Sequence, residues 1–247
     1  YEIIKRDYLA GEYVWTGFDY IGEPTPYNGT GGGAIGSWPS PKNSYFGIID
    51  TAGFPKDSYY LYRSLWNENN TTLHILPAWN ENVVEKDREN KVPVVVYSNA
   101  KSVRLLFTPI NGEERDLGLR AFTEENTGLY KYQIYKGEGK SNIEYENLYL
   151  TWKVPYEAGT LRAVAYSDNA GTQVIGETTG RNIVKTTGEA KKIVLKQYKA
   201  EDDLLADGKD LAYIEVDVVD NEGNIIPDAS NDITFEISGE GSLVGLD

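Results

Sequence analysis

Trp15, Asp19 and Tyr20 stand within six residues, and Glu23, Asn28 and Trp38 follow in the next eighteen. An indole offers a flat apolar face on which the axial C–H groups of a galactose-like ring can stack. Carboxylate and amide groups take up sugar hydroxyls as hydrogen-bond partners. Tyr27 and Tyr45 add to the set. Aromatic, amide and carboxylate groups together suit a neutral sugar, which makes the first six candidate substrate-binding residues. The same pattern also suits a strand buried on both faces with Trp15 as core filler, and composition leaves both readings open.

Bond-breaking groups are harder to find. Glycoside hydrolysis with retention needs two carboxyl groups about 5 to 5.5 Å apart. Glu12 and Asp19 fall at opposite ends of one extended segment, and at about 3.3 Å per residue they are far too distant. Asp19 and Glu23 can approach each other, but nothing singles them out, so no catalytic residue is expected within this chain. The glycines at 29–33 (GTGGG) lack the Lys-Ser/Thr of a phosphate loop. The acids in EDDLLADGKD at 201–210 do not follow calcium-loop spacing and read as a solvated turn. With no cysteine and one histidine, thiolate chemistry and multi-histidine metal sites are excluded. His74, in TLHILPAWN, has no evident acid partner and reads as structural. No cofactor and no metal are expected.

These residues must be positioned by something. EIIKRDYLA at 2–10 reads as the end of an amphipathic helix with Gly11 as its stop. An apolar strand follows at 13–19, then a connector over 20–54, long enough to suggest a functional loop. PKDSYYLYRSLW at 55–66 reads as a helix. Pro55 suits its first turn, Asp57 suits the positive end of the dipole, and Tyr59, Tyr62, Leu65 and Trp66 fall on one face. Helix, buried strand, loop, helix is the order of an α/β unit. One central strand cannot cover both of its own faces, so residues 1–66 are expected to leave a large apolar surface for polypeptide outside this sequence.

After Trp66 the pattern changes. Segments 92–98, 103–107, 129–135, 148–154 and 161–167 are short, β-branched or aromatic, and several alternate with period two. Asn111-Gly112 and Glu157-Ala158-Gly159 supply turns. This predicts an antiparallel sandwich with Trp79 and Trp152 as core anchors. Beyond a break at 180–190, IVLKQY, AYIEVDVVD and ITFEIS predict three more strands, with a hairpin turn at 221–224. Sixty residues make only a partial module. The expected domains are 1–66, 67–187 and 188–247.

The formal net charge is -14. Residues 188–247 carry 15 Asp/Glu against 5 Lys, and the first 187 residues carry 23 acids against 19 bases. A polyanion would be repelled, so nucleic acid and anionic membrane are not expected partners. No 18-residue apolar run appears, so no membrane insertion is expected in this segment.

YVWTGFDYIGEPTPY at 13–27 and SWPSPKNSYFGIIDTAGFPKDSYYLYRSLW at 37–66 closely resemble the end of the catalytic barrel in family 2 glycoside hydrolases. The likeness is to the large multidomain β-galactosidases of Gram-positive surfaces and gut bacteria. TLHILPAWN, VPVVVYSNAKSVRLLF and LTWKVPYEAGTLRAVAY continue it into the following sandwich, although Thr108-Pro109 departs from the usual run into an Asn-Gly turn. The segment from about 189 resembles the next immunoglobulin-like module.

The resemblance implies a mixed fold: the last β/α unit of a TIM barrel followed by immunoglobulin-like antiparallel β-sandwich domains. Residues 12–19 would be the eighth strand, 20–54 the loop over the active site and 55–66 the eighth helix. Trp15 would be the platform under a galactose ring, with a cis peptide after it, and Asp19 and Tyr20 would surround it. The parent protein would hydrolyse terminal β-galactosides with retention, through two glutamates on earlier strands. Its partners would be the glycan and the upstream barrel portion of the same protein, and its location extracellular or cell-wall-associated. The competing expectation is a set of carbohydrate-binding or spacer β-sandwich modules with no catalytic role.

Overall fold

The computed structural model describes residues 3, 6–22, 44–128, 130–137, 146–198, 205 and 207–246. Among these residues there are one helix, α1 (Asp57–Trp66), and twelve strands: β1 (Leu73–Leu76), β2 (Lys91–Ser98), β3 (Ser102–Pro109), β4 (Arg115–Ala121), β5 (Thr123–Asn126), β6 (Lys131–Lys136), β7 (Glu146–Asn147), β8 (Leu150–Pro155), β9 (Gly159–Tyr166), β10 (Ile183–Lys185), β11 (Lys192–Tyr198) and β12 (Tyr213–Val219).

Two sheets enclose the main core. One has the order β1-β2-β8 and the other β10-β9-β3-β4, with antiparallel pairing throughout. Period-two patterning explains why these segments are strands and which faces meet. In β2, Val92, Val94, Val96 and Ser98 point inward, and Leu150, Trp152 and Val154 do so in β8. Across the sandwich they meet Val103, Leu105 and Phe107 of β3 and Leu161, Ala163 and Ala165 of β9 in one core cluster. Pro93 is tolerated because only β8 flanks that part of β2; β1 pairs with residues from Val95 onward. Both expected anchors are buried. The indole N–H of Trp79 donates to the Glu157 carbonyl at 2.9 Å, and that of Trp152 to the Gly118 carbonyl at 3.2 Å.

The structure adds strands that the sequence reading passed over. β1 and β10 close the two sheets, and β4 is largely half-exposed. The 129–135 segment appears as β6, in a separate sheet of order β5-β6-β7 rather than in the sandwich. In the last segment β11 and β12 pair along their full length. The turn at 221–224 is present, closed by the Asp220 carboxylate, which accepts the N–H groups of Glu222 and Asn224 at 2.9 Å each. Residues 233–238 form no strand, since no partner lies beside them among the described residues.

The first sixty-six residues differ most from expectation. Residues 6–9 form successive turns, with Arg6 N–H to Ile3 and Leu9 N–H to Arg6, instead of a helical end. Residues 13–19 form no ladder; Phe18 makes one isolated parallel bridge to Ile49. Helix α1 starts two residues later than read. Lys56 is its N-cap, and Pro55 bridges Ile49 instead of occupying the first turn. On the predicted aromatic face Leu65 and Trp66 are exposed and Tyr59 and Tyr62 half-buried, and Ser64 is the helix's buried residue.

Candidate functional site

Residues 16–20 and 44–49 run side by side. Asp19 N–H donates to Ile49 O at 2.9 Å, Ile49 N–H to Gly17 O at 3.1 Å, and Ile48 N–H to Thr16 O at 3.2 Å. Ser44 is fully buried; its N–H donates to Tyr20 O at 2.9 Å and its hydroxyl accepts Tyr20 N–H at 3.3 Å. Gly47 is required by contact distance. A Cβ there would lie 2.2 Å from Asp19 N and 2.4 Å from the Phe18 carbonyl carbon.

Trp15 stands at the rim of this paired segment. Its peptide to Thr16 is cis. The ring is 71% exposed and meets Tyr20 edge-on, with centroids 6.4 Å apart. The indole N–H donates to the Tyr20 hydroxyl at 3.3 Å. A broad apolar face therefore carries a polar edge beside a phenol. Tyr8, Tyr13, Phe18, Ile21, Tyr45 and Phe46 are also exposed on this part of the chain.

Asp19 points the other way. Its side chain is 4% exposed. One carboxylate oxygen accepts the Gly47 N–H at 2.7 Å, and the other meets Lys56 Nζ at 2.5 Å. The same ammonium donates to the Tyr45 carbonyl at 3.3 Å. Of the residues read as sugar contacts, Trp15 and Tyr20 are brought together, while Asp19 is turned inward by a buried carboxylate's need for donors and a cation. Glu23, Asn28 and Trp38 lie outside the described residues, as does Tyr27.

A second polar cluster joins α1 to the sandwich. Sequence reading gave His74 no acid partner, and the structure supplies one. Nε2 donates to Asp57 Oδ1 at 2.6 Å, while Nδ1 accepts the Arg181 backbone N–H at 3.1 Å. The imidazole stacks on Tyr60, with centroids 3.9 Å apart, and the Arg181 guanidinium reaches Asp57 at 3.4 Å. Burial holds the His74 pKa below its ordinary 6.5, with the Asp57 hydrogen bond opposing. The His74 hydrogen bond, assisted by Arg181, holds the Asp57 carboxyl below 3.8. Neutral imidazole against carboxylate is a satisfied structural arrangement, and Arg63 extends it by donating to Thr72 Oγ at 2.5 Å. The acid partner was illegible because Asp57 and His74 are seventeen residues apart and meet only when the helix docks. Among the described residues no cluster of His, Asp and Glu could hold a metal, and no helix is long and apolar enough to cross a membrane.

An exposed indole with a phenol at its edge precedes a series of antiparallel β-sheets in this chain. Comparison with known proteins identifies the family. The glycoside hydrolase family 2 C-terminal domain 5 matches residues 195–247, and a domain of unknown function (DUF4982) matches residues 89–175. The β-galactosidase BoGH2A of Bacteroides ovatus is 35% identical over 98% of this chain and 23% of its own length. A putative β-glucuronidase of Formosa agariphila is 29% identical over 99% of this chain and 20% of its own. Among solved structures, a β-glycosidase from Bacteroides vulgatus aligns at TM-score 0.58 and 28% identity, covering 87% of this chain and 21% of that one. A family 2 β-glucuronidase aligns at TM-score 0.52 and 26% identity, covering 76% and 16%. The chain belongs to glycoside hydrolase family 2, as a C-terminal segment spanning about a quarter or less of the relatives it matches.

Proposed function

We propose that this chain is the C-terminal part of a retaining β-galactosidase acting on terminal β-galactosides. In this reading residues 12–66 complete a catalytic (β/α)8 barrel. Trp15 and Tyr20 form one wall of the sugar pocket, and Glu23, Asn28 and Trp38 are further candidate sugar ligands. The acid/base and nucleophilic glutamates belong to preceding polypeptide. The sandwich and the last module support and space the barrel. The observation that carries the reading is the 71% exposed Trp15 ring held edge-on to the Tyr20 phenol. A large apolar ring with its polar edge partnered and its face open is a ready stacking surface. The 35% identity to a β-galactosidase supports the choice of sugar.

The test is turnover by the full-length protein of p-nitrophenyl β-galactoside against the β-glucuronide, with product anomer followed by NMR. Preferred galactoside turnover with retention is the expected result. Preference for the glucuronide, the activity named for several relatives, would replace the substrate. Robust turnover by residues 1–247 alone would refute the upstream placement of the glutamates.

A further inference from the structure

We propose that Asp19 and Lys56 form an internal pin that sets the position of the Trp15 ring, making both of them positioning residues for the pocket. The inference rests on the reading of Trp15 as a sugar platform and adds the device that holds it.

Lys56 is the wrong residue for its place. An N-cap ordinarily carries Ser, Thr, Asp or Asn, whose oxygen accepts a helix N–H. A cation there also opposes the positive end of the helix dipole. The Lys56 side chain makes no cap hydrogen bond. Its ammonium instead reaches Asp19 Oδ2 and the Tyr45 carbonyl. A local rule broken at this point signals a requirement from elsewhere in the structure, and the buried Asp19 carboxylate supplies it.

The pin connects three pieces of chain. Asp19 lies one residue before Tyr20, whose hydroxyl receives the Trp15 indole N–H. Its Oδ1 fixes Gly47, in the segment that pairs with Thr16 and Gly17 immediately after Trp15. Its Oδ2 fixes Lys56 at the start of α1. A lost ammonium would strand a carboxylate that is 4% exposed. The segments 16–20 and 44–49 would then separate to admit water, and the ring would move with them. Lys56 is half-exposed, which lets it be replaced without opening a cavity.

The experiment uses the full-length protein labelled with 5-fluorotryptophan, with the Trp15 fluorine resonance assigned by its loss in Trp15→Phe. Lys56→Met is expected to shift and broaden that resonance, and Lys56→Arg to return it toward the original position. A sandwich-core change of similar destabilisation, Val94→Ala, should leave it in place. On galactoside, Lys56→Met should lower kcat/KM by at least about tenfold, mainly through KM, because a displaced platform misplaces the bound ring. An unmoved Trp15 resonance in Lys56→Met overturns the pin, whatever the substrate proves to be. A moved resonance in a protein with no glycoside turnover upholds the pin and overturns the pocket reading.

Discussion

Trp15 and Trp79 are the same residue in opposite circumstances. Trp79 is fully buried, its ring against Phe107 and Tyr156 and its N–H on the Glu157 carbonyl. Trp15 is 71% exposed. The contrast extends to their regions. Within residues 73–185 two of the three described sheets enclose one continuous core. The described part of residues 6–66 carries one helix and isolated bridges, with Tyr13 99% and Ile21 81% exposed. The sandwich buries its apolar side chains within the chain, whereas the described part of the leading segment leaves Tyr13, Trp15, Phe18 and Ile21 exposed.

Breaking the sandwich should have the largest effect. Trp79→Ala removes the largest fully buried side chain and leaves the Glu157 carbonyl without its donor. A loss of about 3–5 kcal/mol is expected, read as a lowered urea midpoint. A change under about 1 kcal/mol would mean the core is not organised around this ring. Trp15→Ala should do the reverse. Stability should stay within about 0.5 kcal/mol of the parent, as for exposed positions. Turnover of galactoside by the full-length protein should fall about a hundredfold, or ~2.7 kcal/mol of transition-state binding. Next come Tyr13→Ser and Ile21→Ser. In the isolated 247-residue chain each should change stability by less than about 0.5 kcal/mol. In the full-length protein each should cost about 1.5–3 kcal/mol, the value for a covered apolar side chain. Equal, small effects in both settings would erase the difference between the regions.

The two regions also differ in how far their sequences could be read. In the sandwich, alternation in 92–98, 103–107 and 161–167 is enforced by an inner face that is covered within the chain, so pattern and structure coincide to within a residue or two. The strands passed over are those where that signal is weak. β4 lies largely half-exposed, β5 is mostly polar, and β1 and β10 have four and three residues. In 13–19 the apolar run suggests a strand, but among the described residues only 16–19 find backbone partners, in 46–49, and these give one isolated bridge rather than a ladder. The aromatic character of Trp15 and Tyr20 was legible, but their edge-on contact was not, because residues five apart on an extended strand face opposite ways. The inward turn of Asp19 was not, because Gly47 and Lys56 approach it from 28 and 37 residues away. The one available signal was the lysine at a helix start.

The smallest expected effect lies at the seam between the two regions. His74 is the sole histidine, so acid–base behaviour of the chain near pH 6 can be assigned to it. Asp57, the Arg181 guanidinium and backbone N–H, Tyr60 and Tyr97 surround the ring. Its folded pKa lies below the ordinary 6.5 because burial outweighs the Asp57 bond. Above pH 6.5 folded and unfolded forms are both neutral, and the contribution of the seam is fully present. As pH falls below 6.5 the unfolded chain takes up the proton first, so stability declines until the folded imidazole is protonated too. Asp57, held below 3.8, contributes a separate loss below that value. Urea midpoints of the chain measured from pH 8 to pH 5 should therefore fall on acidification, and His74→Gln should remove the part that begins near 6.5. A parent chain whose stability rises between pH 6.5 and 5 would show that ion pairing with Asp57 outweighs burial, and would turn the seam from a neutral latch into an acid-strengthened one.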